Sequence, residues 1–140
     1  MGTNYRSQIS KKNKYWISKH RFLEISHHCM QYNEWKDEYR TLESQLLKGV
    51  EYDGMPHGTD VGNPTETVGM RMAELKTKIE RVENVAKEAD PVLAKYILKA
   101  VTNEDVTFNY LKQFMDIPCE KDMYYDRRRK FYWLMSRKKV

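Results

Sequence analysis

Apolar residues recur at helical spacing near the start of the chain. Phe22, Ile25, Cys29 and Tyr32 follow one another at intervals of three or four residues, which places them on one face of a helix. Ser18 precedes them and belongs to the residue types that cap helix N-termini, so we expect the first helix to begin there.

A second apolar stripe starts in a new phase after Asn33, which we expect to be the N-cap of a second helix. The stripe consists of Trp35, Tyr39, Leu42 and Leu46, and its helix should end near residues 48–49. Residues 15–48 are therefore predicted to form a helical hairpin.

Glycine and proline mark the boundary that follows. Gly49, Gly54, Gly58 and Gly62 fall in one stretch with two prolines, so residues 49–64 are predicted to be a linker loop. Residues 1–14 are polar and basic without periodicity, and we expect them to form a flexible arm.

Residues 65–89 carry a long regular pattern that begins after Pro64, a residue favoured in the first turn of a helix. Apolar residues recur there at intervals of four and three, namely Val68, Met72, Leu75, Ile79, Val82 and Ala86. Such a seam either packs against other helices of the same chain or pairs with its copy in a homodimer. The pattern leaves both interpretations open.

Residues 90–140 are predicted to form a helix-turn-helix domain. Asp90 and Pro91 resemble a cap and a first-turn proline, and the helix that they open should run to about residue 101. Its expected buried residues are Leu93, Tyr96, Ile97 and Ala100. A short helix should then start at residue 105 or 107 and end at residue 115, with Leu111 and either Phe114 or Met115 facing inward. After a turn at Pro118, a last helix should span about residues 120–137.

No alternation typical of β-strands occurs along the chain, so the protein is predicted to be all-α. The expected order is a helical hairpin, a long heptad-patterned helix and a C-terminal helix-turn-helix.

Charge is distributed unevenly over the 140 residues, whose formal net charge is +5. Residues 1–21 hold six basic and no acidic residues, and residues 119–140 hold eight basic and three acidic ones. The segment between them has a net charge of −6. Two basic ends can contact a polyanion while the acidic middle stays away from it.

The last helix is both basic and aromatic, and its faces divide into a core side and a candidate site. Helical spacing directs Tyr124, Phe131, Leu134 and Met135 to the core. On the other surface, the candidates for contacts in the major groove of DNA are Lys121, Tyr125 and Arg129, with Asp122 beside them. The candidates for phosphate contacts are Arg127, Arg128 and Lys130, with the stems of both arginines lying along the core.

A run of basic residues can also be a solvated helix face, but the preceding helix and turn favour DNA binding. Further backbone contacts are expected from Lys11, Lys12, Lys14, Lys112 and Arg137. Trp133 lies opposite the apolar face, where it would be exposed, covered by the basic tail or part of a second contact.

Several segments resemble small phage regulators of the RinA and ArpU type. The C-terminal part of that family is similar to Val106-Thr-Phe-Asn-Tyr-Leu111, Asp116-Ile-Pro-Cys119 and Asp122-Met-Tyr-Tyr-Asp-Arg-Arg-Arg-Lys-Phe131. Residues 15–22 and 31–35 resemble its N-terminal half. The resemblance implies a sigma-factor-like helix-turn-helix in a transcriptional activator of phage late or packaging genes. The chain departs from the common helix-turn-helix pattern because no glycine occupies its turn.

The expected partner is therefore double-stranded DNA, and the acidic middle is a candidate surface for host RNA polymerase. Two alternatives are a small-terminase-like DNA-packaging subunit and a helical module that binds a host factor. We expect no metal site, because His27, His28 and Cys29 are consecutive and cannot all reach one ion. We also expect no enzyme and no cofactor, because no glycine-rich phosphate loop precedes a helix and no Ser, His and Asp set suggests a nucleophile. No apolar run approaches the ~20 residues of a membrane span, so a cytoplasmic protein is expected.

Overall fold

The computed structural model describes residues 11–48 and 64–137, and these residues form helices without any strand. Six helices lie within these ranges: α1 (Lys19–Met30), α2 (Tyr32–Leu47), α3 (Pro64–Ala89), α4 (Ala94–Val101), α5 (Phe108–Met115) and α6 (Lys121–Arg137). The predicted all-α class is confirmed. The predicted linker, apart from Pro64, and residues 1–10 of the predicted arm lie outside the described residues.

The junction of α1 and α2 differs from the predicted hairpin. Ser18 caps α1 as expected, and its hydroxyl accepts a hydrogen bond from the Arg21 amide at 3.4 Å. Only Gln31 separates α1 from α2, and its dihedral angles (φ −82, ψ −6) are helical. A single residue therefore joins the two helices, in place of the loop of two to five residues that joins the helices of a hairpin.

Asn33 lies inside α2, so its prediction as the N-cap is wrong. Its side-chain amide instead donates to the Thr102 carbonyl at 3.3 Å and to the Asn103 side chain at 3.2 Å. Asn33 does not cap the helix because the helical conformation already continues through Gln31. The Asn33 side chain instead connects α2 with the end of α4.

Helices α2 and α3 pack side by side in opposite directions. Tyr32 near the start of α2 donates a hydrogen bond to Glu83, which is toward the end of α3. Glu38, farther along α2, binds Arg71 in two hydrogen bonds of 2.8 and 2.9 Å. Because the contacts run in reverse order along the two helices, this pair is antiparallel.

The heptad seam of α3 is largely used inside the single chain. Leu75 and Val82 are completely buried and Ala86 is 1% exposed, while Val68, Met72 and Ile79 are half-buried or partly exposed. The first of the two interpretations thus describes this structure. The predicted homodimer through Val68, Met72, Leu75, Ile79 and Val82 has no support, since Leu75 and Val82 have no surface left for a second copy.

Capping residues also fix the later helices. The Asp90 carboxylate accepts hydrogen bonds from the amides of Val92 and Leu93 at 2.9 and 3.0 Å, and α4 begins at the next residue. Thr107 caps α5 by accepting from the Tyr110 amide at 3.2 Å. The four residues expected to be buried around α4 are Leu93, Tyr96, Ile97 and Ala100, and all are buried.

One hydrophobic cluster includes buried side chains from all six described helices. Helix α6 lies inside it and packs against α1, α3 and α4. The largest fully buried side chains are Tyr124, Phe131, Leu75, Leu93, Ile97, Leu111 and Ile117. The segment predicted to be a helix-turn-helix therefore shares its core with the preceding helices, and much of α6 faces inward.

Candidate nucleic-acid interface

The turn between α5 and α6 comprises residues 116–120. The Leu111 carbonyl accepts from the amides of Asp116 and Ile117, the second at 3.2 Å. Asp116 has a φ of 53°, so it takes the left-handed conformation that a glycine more often supplies. Lys112 donates to the Ile117 carbonyl at 3.3 Å, so this predicted DNA contact also holds the turn.

The first turn of α6 contains the candidate groove contacts but is not a basic surface. Lys121 and Asp122 are exposed, as expected. Tyr125 is half-buried, with its ring 4.9 Å from that of Tyr124. Asp116, Glu120 and Asp122 are all exposed around Lys112 and Lys121, which gives the turn and the helix start an excess of acid.

Some arginines of the basic run in α6 make contacts within the folded chain and are not free to bind a ligand. Arg127 donates to the carboxylate of Asp90 at 3.1 Å and to that of Asp126, so its charge is compensated. The hydrogen bond with Asp90, together with the negative charges of Asp126 and Asp90, raises the pKa of Arg127, while burial opposes this effect. Arg129 is half-buried, and its Nε has no acceptor among the described residues. Lys130 is also half-buried.

Arg128 is only 8% exposed, which corrects the expectation that its guanidinium reaches out to phosphates. Its guanidinium carbon lies 5.1 Å from the ring centre of Tyr132, in a cation–π contact. Spacings of four, three and four put Tyr124, Arg128, Phe131 and Met135 on one helix face. The face that packs inward therefore includes an arginine, because α6 is covered by three helices.

The opposite end of α6 meets the N-terminal segment. The rings of Tyr15 and Trp133 are 5.5 Å apart, and the Arg137 guanidinium lies 4.7 Å from the Trp133 ring centre. The Lys14 ammonium is 5.1 Å from the Tyr15 ring centre. Trp133 was predicted to be exposed, covered by the basic tail or part of a second contact, and in the structure its ring is contacted by Arg137 and by Tyr15.

A turn at Asn13 holds this N-terminal segment in place. The Asn13 side chain accepts from the Tyr15 amide at 2.8 Å, and its carbonyl accepts from the Trp16 amide at 3.0 Å. The Lys11 ammonium then lies 5.7 Å from the Trp16 ring centre. Together these contacts define a terminal patch, made of Lys11, Lys14, Tyr15, Trp16, Trp133 and Arg137.

The terminal patch brings the two basic ends of the sequence together. Lys11, Lys12, Lys14 and Arg137 are exposed. No acid occurs in residues 11–21 or in residues 127–140. The described side chains of these two ranges are therefore basic or neutral, and the acid Glu24 beside them is paired with Arg21, which donates to the Ser136 carbonyl. At a rise of 1.5 Å per residue, Arg137 lies about 24 Å along α6 from Lys121.

The sequence analysis predicted Lys11, Lys14 and Arg137 as DNA contacts. It did not predict that the rings of Tyr15 and Trp16 contact the two lysines. Two features of the sequence could have indicated this contact: the aromatic pair that follows Lys14, and Trp133 on the face of the last helix opposite its apolar residues. No periodicity connects residues so far apart in the sequence.

Comparison of the chain with known protein families, curated proteins and solved structures finds no match in any of the three. None of the helices in the described ranges is both long enough and apolar enough to cross a membrane. In the same part of the chain, no three His, Cys, Asp or Glu side chains form a group that could hold a metal ion.

Proposed function

We propose that this protein binds double-stranded DNA as a regulator of phage late or packaging genes, the function implied by the resemblance described above. The observation that carries the DNA-binding part is the meeting of both basic ends of the chain at the terminal patch. Lysine and arginine side chains that neutralise phosphates release counterions from DNA, which is a main source of affinity.

The terminal patch suits a DNA backbone better than stacked bases. A base-stacking surface needs an aromatic face that is open to the ligand. Trp133 already has Tyr15 beside it and the Arg137 guanidinium over its ring. Lys11, Lys14 and Arg137 lie over the rings of Trp16, Tyr15 and Trp133 and are exposed, so the aromatic rings serve to position cations for phosphates.

The start of α6 remains our candidate for base contacts, through Lys121, Tyr125 and Arg129. The separation of about 24 Å along α6 is shorter than one ~34 Å turn of duplex DNA, so one duplex can contact both ends of the helix. In this arrangement the terminal patch anchors the backbone, and Lys121 lies near the groove.

The test is equilibrium binding of a labelled duplex at near-physiological salt. We expect the combined substitution Lys11→Gln, Lys14→Gln and Arg137→Gln to weaken binding by at least about tenfold. A matched control replaces Lys76, Lys95 and Lys99, which are exposed on α3 and α4, by Gln. Equal affinities for the two triple variants would contradict the proposed surface.

Sequence specificity needs a separate measurement. Duplexes from the DNA around the protein's own gene should bind more tightly than shuffled duplexes of the same composition, and Lys121→Gln should reduce that ratio. Equal affinity for both kinds of duplex would be compatible with non-specific DNA binding but would contradict the proposed role as a sequence-specific regulator.

An exposed aromatic residue favours a second candidate, a module that binds a host protein such as RNA polymerase. Phe114 is 71% exposed and contacts only the Tyr110 ring, at 5.0 Å, among the aromatic pairs of the described residues. If this surface binds a protein, Phe114→Ser should abolish co-sedimentation with purified polymerase and leave duplex binding unchanged. A ring of many copies in solution would instead indicate the packaging subunit.

A further inference from the structure

A small cavity lies where α1, α3 and α6 meet. Its volume is about 90 Å³. The lining residues are Arg21, Glu24, Ile25, His28, Arg81 and Met135. This volume is well above the ~10–15 Å³ that one water molecule requires, so a small polyatomic ligand fits.

The cavity wall carries more positive than negative charge. Arg21 donates to Glu24 at 2.7 Å and to the Ser136 carbonyl at 3.1 Å, so Glu24 already has its cation. Arg81 has no such partner, because its Nε and Nη2 are buried and lack an acceptor among the described residues. A buried donor without an acceptor is unfavourable, and it is more so when the group is charged.

His28 adds a polar group beside this unmatched charge. Its ring packs edge-on against Trp35, with centroids 5.0 Å apart. Burial and the positive charges of Arg81 and Lys78 lower the pKa of His28, while Glu24 opposes them. The imidazole is therefore neutral near pH 7 and carries one N–H donor.

We infer that this cavity binds a small oxyanion of the phosphate class, held by the guanidinium groups of Arg81 and Arg21 and by His28. An anion supplies the acceptors that Arg81 lacks and balances its charge. Guanidinium groups match the geometry of phosphate oxygens well. The anion is either free phosphate or a phosphate of a DNA backbone, and the inference does not depend on the proposed function.

Thermal denaturation of the full chain tests the site. At pH 7 and matched ionic strength, replacing chloride by inorganic phosphate should raise the melting temperature by several degrees, because a ligand of the native state stabilises it. Arg81→Gln should lose this increment. Arg71→Gln is the matched control, since Arg71 lies on the same helix but is paired with Glu38 and Glu74, and it should keep the increment.

A second readout uses the unsubstituted protein. Phosphate should raise the pKa of His28 in an NMR titration, because a bound anion favours the imidazolium form. An unchanged His28 titration together with equal melting temperatures in both salts would overturn the inference. Equal phosphate effects in Arg81→Gln and Arg71→Gln would also overturn it.

Competition between inorganic phosphate and a short DNA duplex distinguishes the two possible sources of the anion. If the duplex displaces phosphate and shifts the His28 resonances, the site takes a backbone phosphate. If phosphate still binds to the DNA complex, the site takes a free anion. Failure of the duplex to bind at all would contradict the proposed function while leaving the phosphate result intact.

Discussion

Arg128 shows how packing decides the role of a single residue. It stands in a basic run typical of a DNA-binding helix, yet its side chain lies in the core against Tyr132. An alanine scan of Arg127, Arg128 and Arg129 would therefore report on folding as well as binding. Lysines of the terminal patch are better probes, because they are exposed.

Arg128→Ala should lower the free energy of unfolding by about 2–3 kcal/mol, because it removes buried side-chain contacts and leaves a cavity. Arg128→Met keeps much of the volume without the charge and should cost about 1 kcal/mol or less. Urea denaturation measures both values. A change below about 0.5 kcal/mol for Arg128→Ala would show that the residue is not part of the core.

His28 should make stability depend on pH. Its pKa is lower in the folded protein than its ordinary value of 6.5, so the unfolded chain binds more protons between these two pKa values. The contribution of neutral His28 to the free energy of unfolding is therefore fully present above pH 6.5. It is lost progressively as the pH falls toward the pKa of His28 in the folded protein.

Urea denaturation in phosphate-free buffer between pH 7.5 and pH 5 measures this loss. His28→Gln should flatten the dependence, whereas His27→Gln, at an exposed neighbouring position, should preserve it. The same pH dependence in His28→Gln and the unsubstituted protein would contradict the assignment.

At the scale of elements, Asp90 connects two helices. One carboxylate oxygen caps the turn at residues 91–93, which leads into α4, and the other pairs with Arg127 of α6. We expect Asp90→Ala to cost about 2 kcal/mol, mostly through the lost cap, because Arg127 is one-third exposed and solvent weakens the ion pair.

Asp90→Asn can keep the cap and should cost less than Asp90→Ala. The control is Asp37→Ala, at an exposed ion pair with Arg40, which should change stability by no more than about 0.5 kcal/mol. Thermal denaturation of the three variants gives the comparison. Equal costs for Asp90→Ala and Asp37→Ala would show that neither the cap nor the ion pair of Asp90 contributes to stability.

The turn before α6 provides a second prediction at this scale. Asp116 has a positive φ of 53°, which a short polar side chain tolerates and a β-branched one does not. Asp116→Val should therefore cost about 1–2 kcal/mol, whereas Asp116→Gly should be close to neutral. Urea denaturation checks both, and a neutral Asp116→Val would exclude the left-handed conformation.

Local signals predicted most helix boundaries in the described ranges. Ser18 and Thr107 cap helices, and Asp90 caps the turn before α4, because their side chains accept from nearby amides, and this depends on only a few neighbouring residues. Asn33 was predicted wrongly because its side chain finds a distant partner, the Thr102 carbonyl. Capping propensity cannot foresee such a tertiary contact.

At the scale of the whole molecule, the sequence predicted the all-α class but not the position of α6. Periodicity gives one apolar face, whereas α6 is surrounded by α1, α3 and α4, so its buried surface is wider than that face. The burial of Arg128 follows from this position. The contact of Tyr15 with Trp133 joins residues far apart in sequence, so only the fold brings the basic ends together.

The most direct test of the central claim, that the terminal patch neutralises DNA phosphates, is the salt dependence of duplex binding. The slope of log Kobs against log salt changes by about 0.9 for each phosphate contact. The combined substitution Lys11→Gln, Lys14→Gln and Arg137→Gln should therefore make the slope shallower by about 2 to 3, while the Lys76, Lys95 and Lys99 control keeps the original slope. Identical slopes for both triple variants and the unsubstituted protein would contradict the claim.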